Sequence, residues 1–341
     1  MRILVCSPQV PFARGGAEIL AERLTHELRE RDHDADLVTM PFKWYPGTKV
    51  LTHALMWRLA DLTEVDGRPV DLVIGTKFPS YVVKHPNKAV WLVHQFRQAY
   101  ELDRTELGQF GDSPEDRATR RAIHRLDKAA LGEARLLAAI SQNVAGRLER
   151  NTGLQAEVVL PPPQQLDFRC DSYDDFVLSV NRLDRAKRID LLLEAVAADP
   201  SIRCVIAGDG PDRERLELLA ERSGVNGRAV FAGRVSEAEL ADLYARCRGV
   251  YYAPVDEDYG MVPYEAFMAE KPVVTTVDAG APLDIVRDRE TGLVVEPHAA
   301  ELARAFHFLL EHEDEARSWG KAGRAIAEQV TWDHAVDRLL R

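Results

Sequence analysis

The sequence predicts an α/β protein of two doubly wound, parallel-stranded sheets, one in each half of the chain. Three observations predict it. Short apolar runs of the buried parallel-strand type recur along the chain, helical patterns separate them, and a proline cluster divides them into two series. Strand alternating with helix implies right-handed βαβ crossovers, which set the strands side by side and parallel. The length, 341 residues, suffices for about two domains with a core each.

The first series of apolar runs is 2–6, 36–39, 71–74, 89–93 and 136–140. Leu20, Leu24 and Leu28 recur at four-residue spacing after the first run and mark a helix. Leu160-Pro161-Pro162-Pro163-Gln164-Gln165 can continue neither sheet nor helix, so it reads as the linker. The second series is 176–180, 202–207, 229–232, 249–253, 272–276 and 292–295, with helices expected from Ile189, over Glu237–Arg246 and over Met261–Ala269. In the last residues Trp332, Val336, Leu339 and Leu340 form an apolar helical stripe that needs a surface to cover it.

The composition, 46% hydrophobic and 29% charged, is that of a soluble globular protein, and no apolar run reaches the length of a membrane span. The opening Met1–Val5 is too brief and wrongly flanked for a signal peptide. Cys6, Cys170, Cys204 and Cys247 are scattered without metal-ligand spacing and read as reduced thiols of a cytoplasmic protein. The net charge is −11, with 22 basic against 21 acidic residues in 1–160 and 22 against 34 in 161–341. An acidic chain of this kind argues against a nucleic-acid binder.

The chemistry concentrates where strands run into helices, the edge at which open α/β sheets bind ligands. After Val250–Ala253 comes Val255-Asp256-Glu257-Asp258-Tyr259-Gly260-Met261-Val262-Pro263-Tyr264-Glu265, a loop carboxylate and a helix carboxylate separated by seven residues. After Phe176–Val180, Arg182 and Lys187 lie five apart and offer a planar fork and a point charge for phosphate oxygens. Gly208-Asp209-Gly210-Pro211 follows the next strand and lacks the third glycine of a dinucleotide fingerprint. Phe231-Ala232-Gly233-Arg234-Val235, Gly280-Ala281-Pro282 and Thr291-Gly292-Leu293-Val294-Val295 complete the second half. In the first half, Arg14-Gly15-Gly16 precedes a helix, a setting for backbone contact with an anion, and His94 ends a strand. Asp256-Glu257-Asp258 matches the metal-binding D-x-D pattern, but side-chain cations already stand nearby in sequence and no metal is expected. Arg117, Arg121, His124 and Lys128 share a helical face. It reads as a solvated face because Asp116, Asp127 and Glu133 are interspersed, with weak peripheral membrane contact as the alternative.

Arg-x4-Lys, G-x-G-P, F-x-G-x-V, E-x7-E, a Gly-Pro turn and TGLVV, in that order, resemble the nucleotide-sugar domain of retaining glycosyltransferase family 4 over most of residues 176–296. The resemblance implies the GT-B fold, two Rossmann-like domains facing a central cleft. It implies an acceptor-side domain at 1–162, a nucleotide-sugar domain at 163–325 and a helix at 326–341 that crosses back to the first. It implies a retaining, metal-independent hexosyltransferase that uses a UDP- or GDP-sugar and a hydroxyl acceptor (a glycan, a lipid-linked sugar or a small molecule), with no cofactor. By position, Arg182 and Lys187 would hold the diphosphate, Glu265 the ribose, Glu257 and His94 the donor sugar, and Arg234–Val235 the base. Gly15, Gly16, Gly208, Tyr259, Gly260, Met261 and Val262 would line the donor; Arg14, Gln95, Arg97 and Tyr100 would face the acceptor. Departures from the family pattern are Arg188, Glu270 and Ala281 where glycine is common, and Tyr259 where phenylalanine is usual. The rival readings are a GT-B-like epimerase or phosphorylase and a non-catalytic nucleotide-sugar-binding partner.

Overall fold

A computed structural model describes residues 1–12, 15–105, 108–163 and 166–341. The chain divides into two compact units, Met1–Pro161 with Thr331–Arg341, and Pro162–Val330.

The first unit contains β1 (Arg2–Gln9), α1 (Gly16–Glu30), β2 (Asp34–Pro41), α2 (Val50–Leu59), β3 (Glu64–Val65), β4 (Arg68–Pro69), β5 (Leu72–Gly75), β6 (Lys88–Leu92), α3 (Pro114–Gly132), β7 (Leu136–Ala139), α4 (Gln142–Thr152) and β8 (Glu157–Val158). Its main sheet has the order β2-β1-β5-β6-β7-β8 and every pairing in it is parallel. β5 and β6 are buried throughout, which is why β5 and, after Lys88, the rest of β6 read as apolar runs rather than alternating ones. The two-residue strands β3, β4 and β8 escape the sequence reading, because two residues carry no periodicity. α3 starts at Ser113, whose Oγ accepts from Asp116 N at 3.0 Å, with Pro114 in the first turn. Asp127, on α3, is wholly buried and is no part of that helix's exposed face.

The second unit runs β9 (Val177–Val180), α5 (Ile189–Ala198), β10 (Cys204–Ala207), α6 (Arg213–Arg222), β11 (Ala229–Gly233), α7 (Glu237–Arg246), β12 (Gly249–Tyr251), α8 (Val262–Met268), β13 (Val273–Thr276), β14 (Gly292–Val295), α9 (Ala299–Glu311) and α10 (Glu313–Ala327). The sheet order is β11-β10-β9-β12-β13-β14, again all parallel. Leu192, Leu193 and Val196 of α5 meet Phe306 and Leu309 of α9 in one core with Ile206 and Tyr251 of the sheet. α7 is capped reciprocally, Ser236 Oγ accepting from Glu239 N and the Glu239 carboxylate accepting from Ser236 N.

α11 (Trp332–Leu340) belongs to the first unit, and residues 326–330, grouped with the last helix in the sequence reading, stay with the second. Trp332, Ala335, Val336 and Leu339 are buried, the Trp332 ring standing edge-on to Trp91 at 6.1 Å. Asp333 pairs with Arg31, and Arg338 with Glu157 at 2.5 Å.

All four cysteines are free thiols; burial pushes Cys204 and Cys247 up to about 12. No described helix is long and apolar enough to cross a membrane.

Candidate active site

In the second unit consecutive strands step outward from β9 to β11, then return to the other side of β9 with β12. The crevice beyond the C-terminal ends of β9 and β12 is therefore the topological switch point of this sheet. The loop after β9 carries Arg182 and Lys187, and the loop after β12 carries Glu257. Lys187 Nζ donates to Glu257 Oε2 and lies 3.4 Å from the Tyr252 hydroxyl, which also meets Glu257 Oε2 at 3.2 Å. Arg182 extends into solvent, 72% exposed, with its nearest carboxylate at 4.0 Å on Asp184. A short 3-10 turn, Arg185–Lys187, aims Lys187 inward; Asp184 caps it by accepting from Ala186 N at 3.1 Å.

Two glycines have steric reasons in this edge. A Cβ on Gly208 would stand 1.9 Å from Asn181 O, so only glycine lets the loops after β9 and β10 touch. Gly260 has φ +77°, and a Cβ there would meet the Tyr252 ring at 2.6 Å. Arg234, at the end of β11, is 86% exposed and 3.6 Å from Asp209.

Arg188 organises this edge, and sequence reasoning recorded it only as a departure. It occupies the left-handed region, φ +49°, as does Glu270 at φ +56°. Both stand where glycine was expected, so the backbone shape is kept and the strain of a side chain is accepted. The Arg188 guanidinium compensates with hydrogen bonds to Ala253 O (2.8 Å), Pro254 O (2.8 Å), Thr276 Oγ1 (2.8 Å) and both Asp278 oxygens (3.0 and 2.8 Å). It thereby ties the loop after β9 to those after β12 and β13. The signal was an arginine in a glycine position directly before a helix.

Glu265 lies in α8, buried, and accepts from the Tyr244 hydroxyl at 2.8 Å. Burial holds its carboxyl above the usual carboxylate range, against the Tyr244 hydrogen bond. Tyr259 turns inward, its ring stacked on Tyr264 at 4.9 Å, and Met261 and Val262 are partly exposed at the start of α8. Among the described residues no group of three His, Cys, Asp or Glu side chains is placed to hold a metal ion.

In the first unit the strand order reverses between β1 and β5. Gly15 caps α1 beyond β1, its N–H donating to Glu18 at 2.9 Å, and a Cβ on Gly16 would meet no described atom within 4 Å. Lys77, just beyond β5, pairs with the other oxygen of Glu18, a contact the sequence reading missed. Arg14 lies outside the described residues. His94 follows β6, half-buried, its Nδ1 2.7 Å from Gln95 O. Arg97 donates to Glu101 at 2.7 Å.

Gln95 and Tyr100 direct their polar ends into the protein, not outward to an acceptor as expected. The buried Asp127 carboxylate needs donors, and it receives Tyr81 Oη (2.8 Å), Tyr100 Oη (2.9 Å) and Gln95 Nε2 (3.0 Å). Burial raises Asp127 to about 6, and those three hydrogen bonds oppose the rise. The network holds the segment after His94 onto α3.

Residues 168–326 match the family described as "Glycosyl transferases group 1". The chain is 31% identical over 278 residues to D-inositol 3-phosphate glycosyltransferase of Mycobacterium avium, covering 74% of this chain and 63% of that protein's length. Among solved structures it is similar to sucrose-phosphate synthase from Thermosynechococcus elongatus, with a TM-score of 0.77, 20% identity, and 99% and 97% of the two chains covered. It is also similar to HepE of Anabaena in complex with UDP, with a TM-score of 0.71, 17% identity, and 100% and 98% covered. These structural likenesses establish the GT-B fold.

Proposed function

We infer that this chain, which belongs to the group 1 glycosyl transferases through residues 168–326, moves a hexose from a nucleoside-diphosphate sugar to a hydroxyl acceptor with retention at the anomeric carbon. The observation that carries the reading is the Lys187–Glu257 pair at the β9/β12 switch point, with Arg182 exposed on the same loop as Lys187. Cations fixed there neutralise the charge that develops on a departing diphosphate, a task that otherwise falls to a metal ion. The reaction proceeds without a metal.

In this reading the bond from the sugar's anomeric carbon to phosphate oxygen breaks, and the bond to the acceptor oxygen forms on the same face. The acceptor's proton passes to the departing phosphate oxygen. Lys187 and Arg182 hold the diphosphate, with the backbone of Gly208, Gly15 and Gly16 close to it. Glu265 accepts from the ribose hydroxyls. Arg234 and Val235 line the base, and Gly260, Met261 and Val262 line the donor. Glu257 and His94 contact the transferred sugar, and Arg97 serves the acceptor side, with Gln95 and Tyr100 shaping it from behind. The enzyme works in the cytoplasm.

Incubation with UDP- and GDP-hexoses and a panel of hydroxyl acceptors, read by NMR of the anomeric proton, tests this. A glycoside with the donor's anomeric configuration, formed in the presence of chelator, is the expected product. An epimerised donor, a sugar 1-phosphate, or binding with no turnover would each replace the reading.

A further inference from the structure

We propose that Tyr252 is a positioning residue for the donor diphosphate: its hydroxyl holds the Glu257 carboxylate when the Lys187 ammonium turns to that ligand. The role rests on Lys187 acting as a diphosphate ligand. Tyr252 is the first residue after β12, at the edge where the strand order reverses. Its N–H donates to Val274 O at 3.0 Å, so β13 fixes its backbone. The residue is 4% exposed, and its hydroxyl accepts from Lys187 Nζ at 3.4 Å and donates to Glu257 Oε2 at 3.2 Å. Lys187 Nζ also lies 5.5 Å from the centre of the ring. One side chain thus touches both members of the Lys187–Glu257 pair.

Gly260 is fitted to this tyrosine. A Cβ there would stand 2.6 Å from the ring and 3.0 Å from the hydroxyl oxygen. The glycine between Glu257 and Glu265 therefore lets the Tyr252 hydroxyl reach the pair. Glu265 is served in the same manner, accepting from the Tyr244 hydroxyl at 2.8 Å. Each glutamate of the motif has a buried tyrosine hydroxyl behind it.

Lys187 and Glu257 are partly buried, and in the pair each charge compensates the other. A diphosphate that draws Lys187 towards itself leaves Glu257 with less of its partner, beside a ligand of the same sign. A partly buried carboxylate without compensation is unfavourable, so the ion pair by itself opposes the ligand. The Tyr252 O–H is a neutral donor that stays with Glu257 throughout. Burial first, and the Glu257 charge second, hold its pKa well above the ordinary tyrosine value, so the proton is retained. Being neutral, it does not compete with Lys187 for phosphate oxygens.

The test is titration of the full chain with UDP and GDP by calorimetry, and with uridine and guanosine by NMR. The proteins are the wild type, Tyr252→Phe, Lys187→Met and the double variant. Phenylalanine keeps the ring against Gly260 and removes the donor alone; thermal melts check that it stays folded. Tyr252→Phe should weaken the nucleoside diphosphate that the wild type binds about tenfold or more, the scale of one hydrogen bond to a charged group. The parent nucleoside should bind unchanged. With Lys187→Met in place, Tyr252→Phe should add almost nothing, because residues that act through one contact are not additive. Equal loss for diphosphate and nucleoside makes Tyr252 a packing residue, and additive losses make it independent of Lys187; either overturns the proposal. If Lys187→Met weakens the diphosphate and Tyr252→Phe does not, the positioning role alone falls. If Lys187→Met binds it as the wild type does, or the wild type binds neither nucleotide, the diphosphate assignment falls with it.

Discussion

The Lys187 ammonium donates to the Glu257 carboxylate across 70 residues of sequence, joining the loops that follow β9 and β12. The pair stands where the strand order of the second sheet reverses, and the Tyr252 hydroxyl lies within reach of both charges. A lysine so held has one strong partner within the protein and remains available to a second anion. Lys187→Met and Arg182→Ala should each lower transfer by about 100-fold or more, the scale for losing an oriented charge partner of a transition state. Thermal melts should be nearly unchanged for Arg182→Ala, because that side chain is largely in solvent. Full activity in both folded variants would remove the diphosphate assignment.

Arg188 separates backbone strain from side-chain stapling. Arg188→Ala keeps a side chain at a left-handed φ and loses all five guanidinium hydrogen bonds. Arg188→Gly loses the same bonds and relieves the backbone. Both should be less stable than the wild type, and the glycine variant should recover about 1 kcal/mol over the alanine variant. Paired chemical denaturation curves read this difference directly. An alanine variant as stable as wild type would show that the staple contributes nothing.

Glu265 should trade stability for binding. Burial raises its carboxyl pKa, so the folded state holds a proton that the unfolded state has already released. The resulting stabilisation is full below the ordinary carboxylate pKa and is lost as pH rises through the raised value. Glu265→Gln still accepts from Tyr244 and carries no charge to bury. It should therefore melt higher than wild type at pH near ~7, with the gap closing in acid. It should also weaken both the donor and the free nucleoside diphosphate by similar factors. His94→Ala should leave nucleotide affinity nearly intact and lower turnover. Calorimetric titration of the two variants compares them; loss for His94→Ala with none for Glu265→Gln would reverse the assignments.

Removing Thr331–Arg341 should destabilise the first unit. The cut uncovers Trp91 and takes away the buried Trp332, Val336 and Leu339, on the order of 5 kcal/mol of apolar burial. It also breaks the Arg31–Asp333 and Glu157–Arg338 pairs. Limited proteolysis should then cleave within 1–160 much faster than in the full chain. Unchanged protection would mean that α11 adds little to that unit.

The fold class was legible in the residue order because strands of a buried parallel sheet read as near-continuous apolar runs, as Leu72–Gly75 and residues 89–92 do. The loop positions of Arg182, Lys187, Glu257 and His94 were equally legible, since a strand that runs into a helix places its loop at one known edge of the sheet. Contacts between distant segments were not. The Lys77–Glu18 pair, the Arg188 staple and the inward turn of Gln95 and Tyr100 each depend on loops that only the assembled sheet brings together. Asp127 shows the limit most plainly. Among the cations of α3 it looks like one more surface charge, yet helical rotation points it at the core, where three donors hold it. A linear sequence lists charges by position; burial, which decides whether a charge neutralises its neighbours or needs its own donors, exists only once the helix has a face against the sheet.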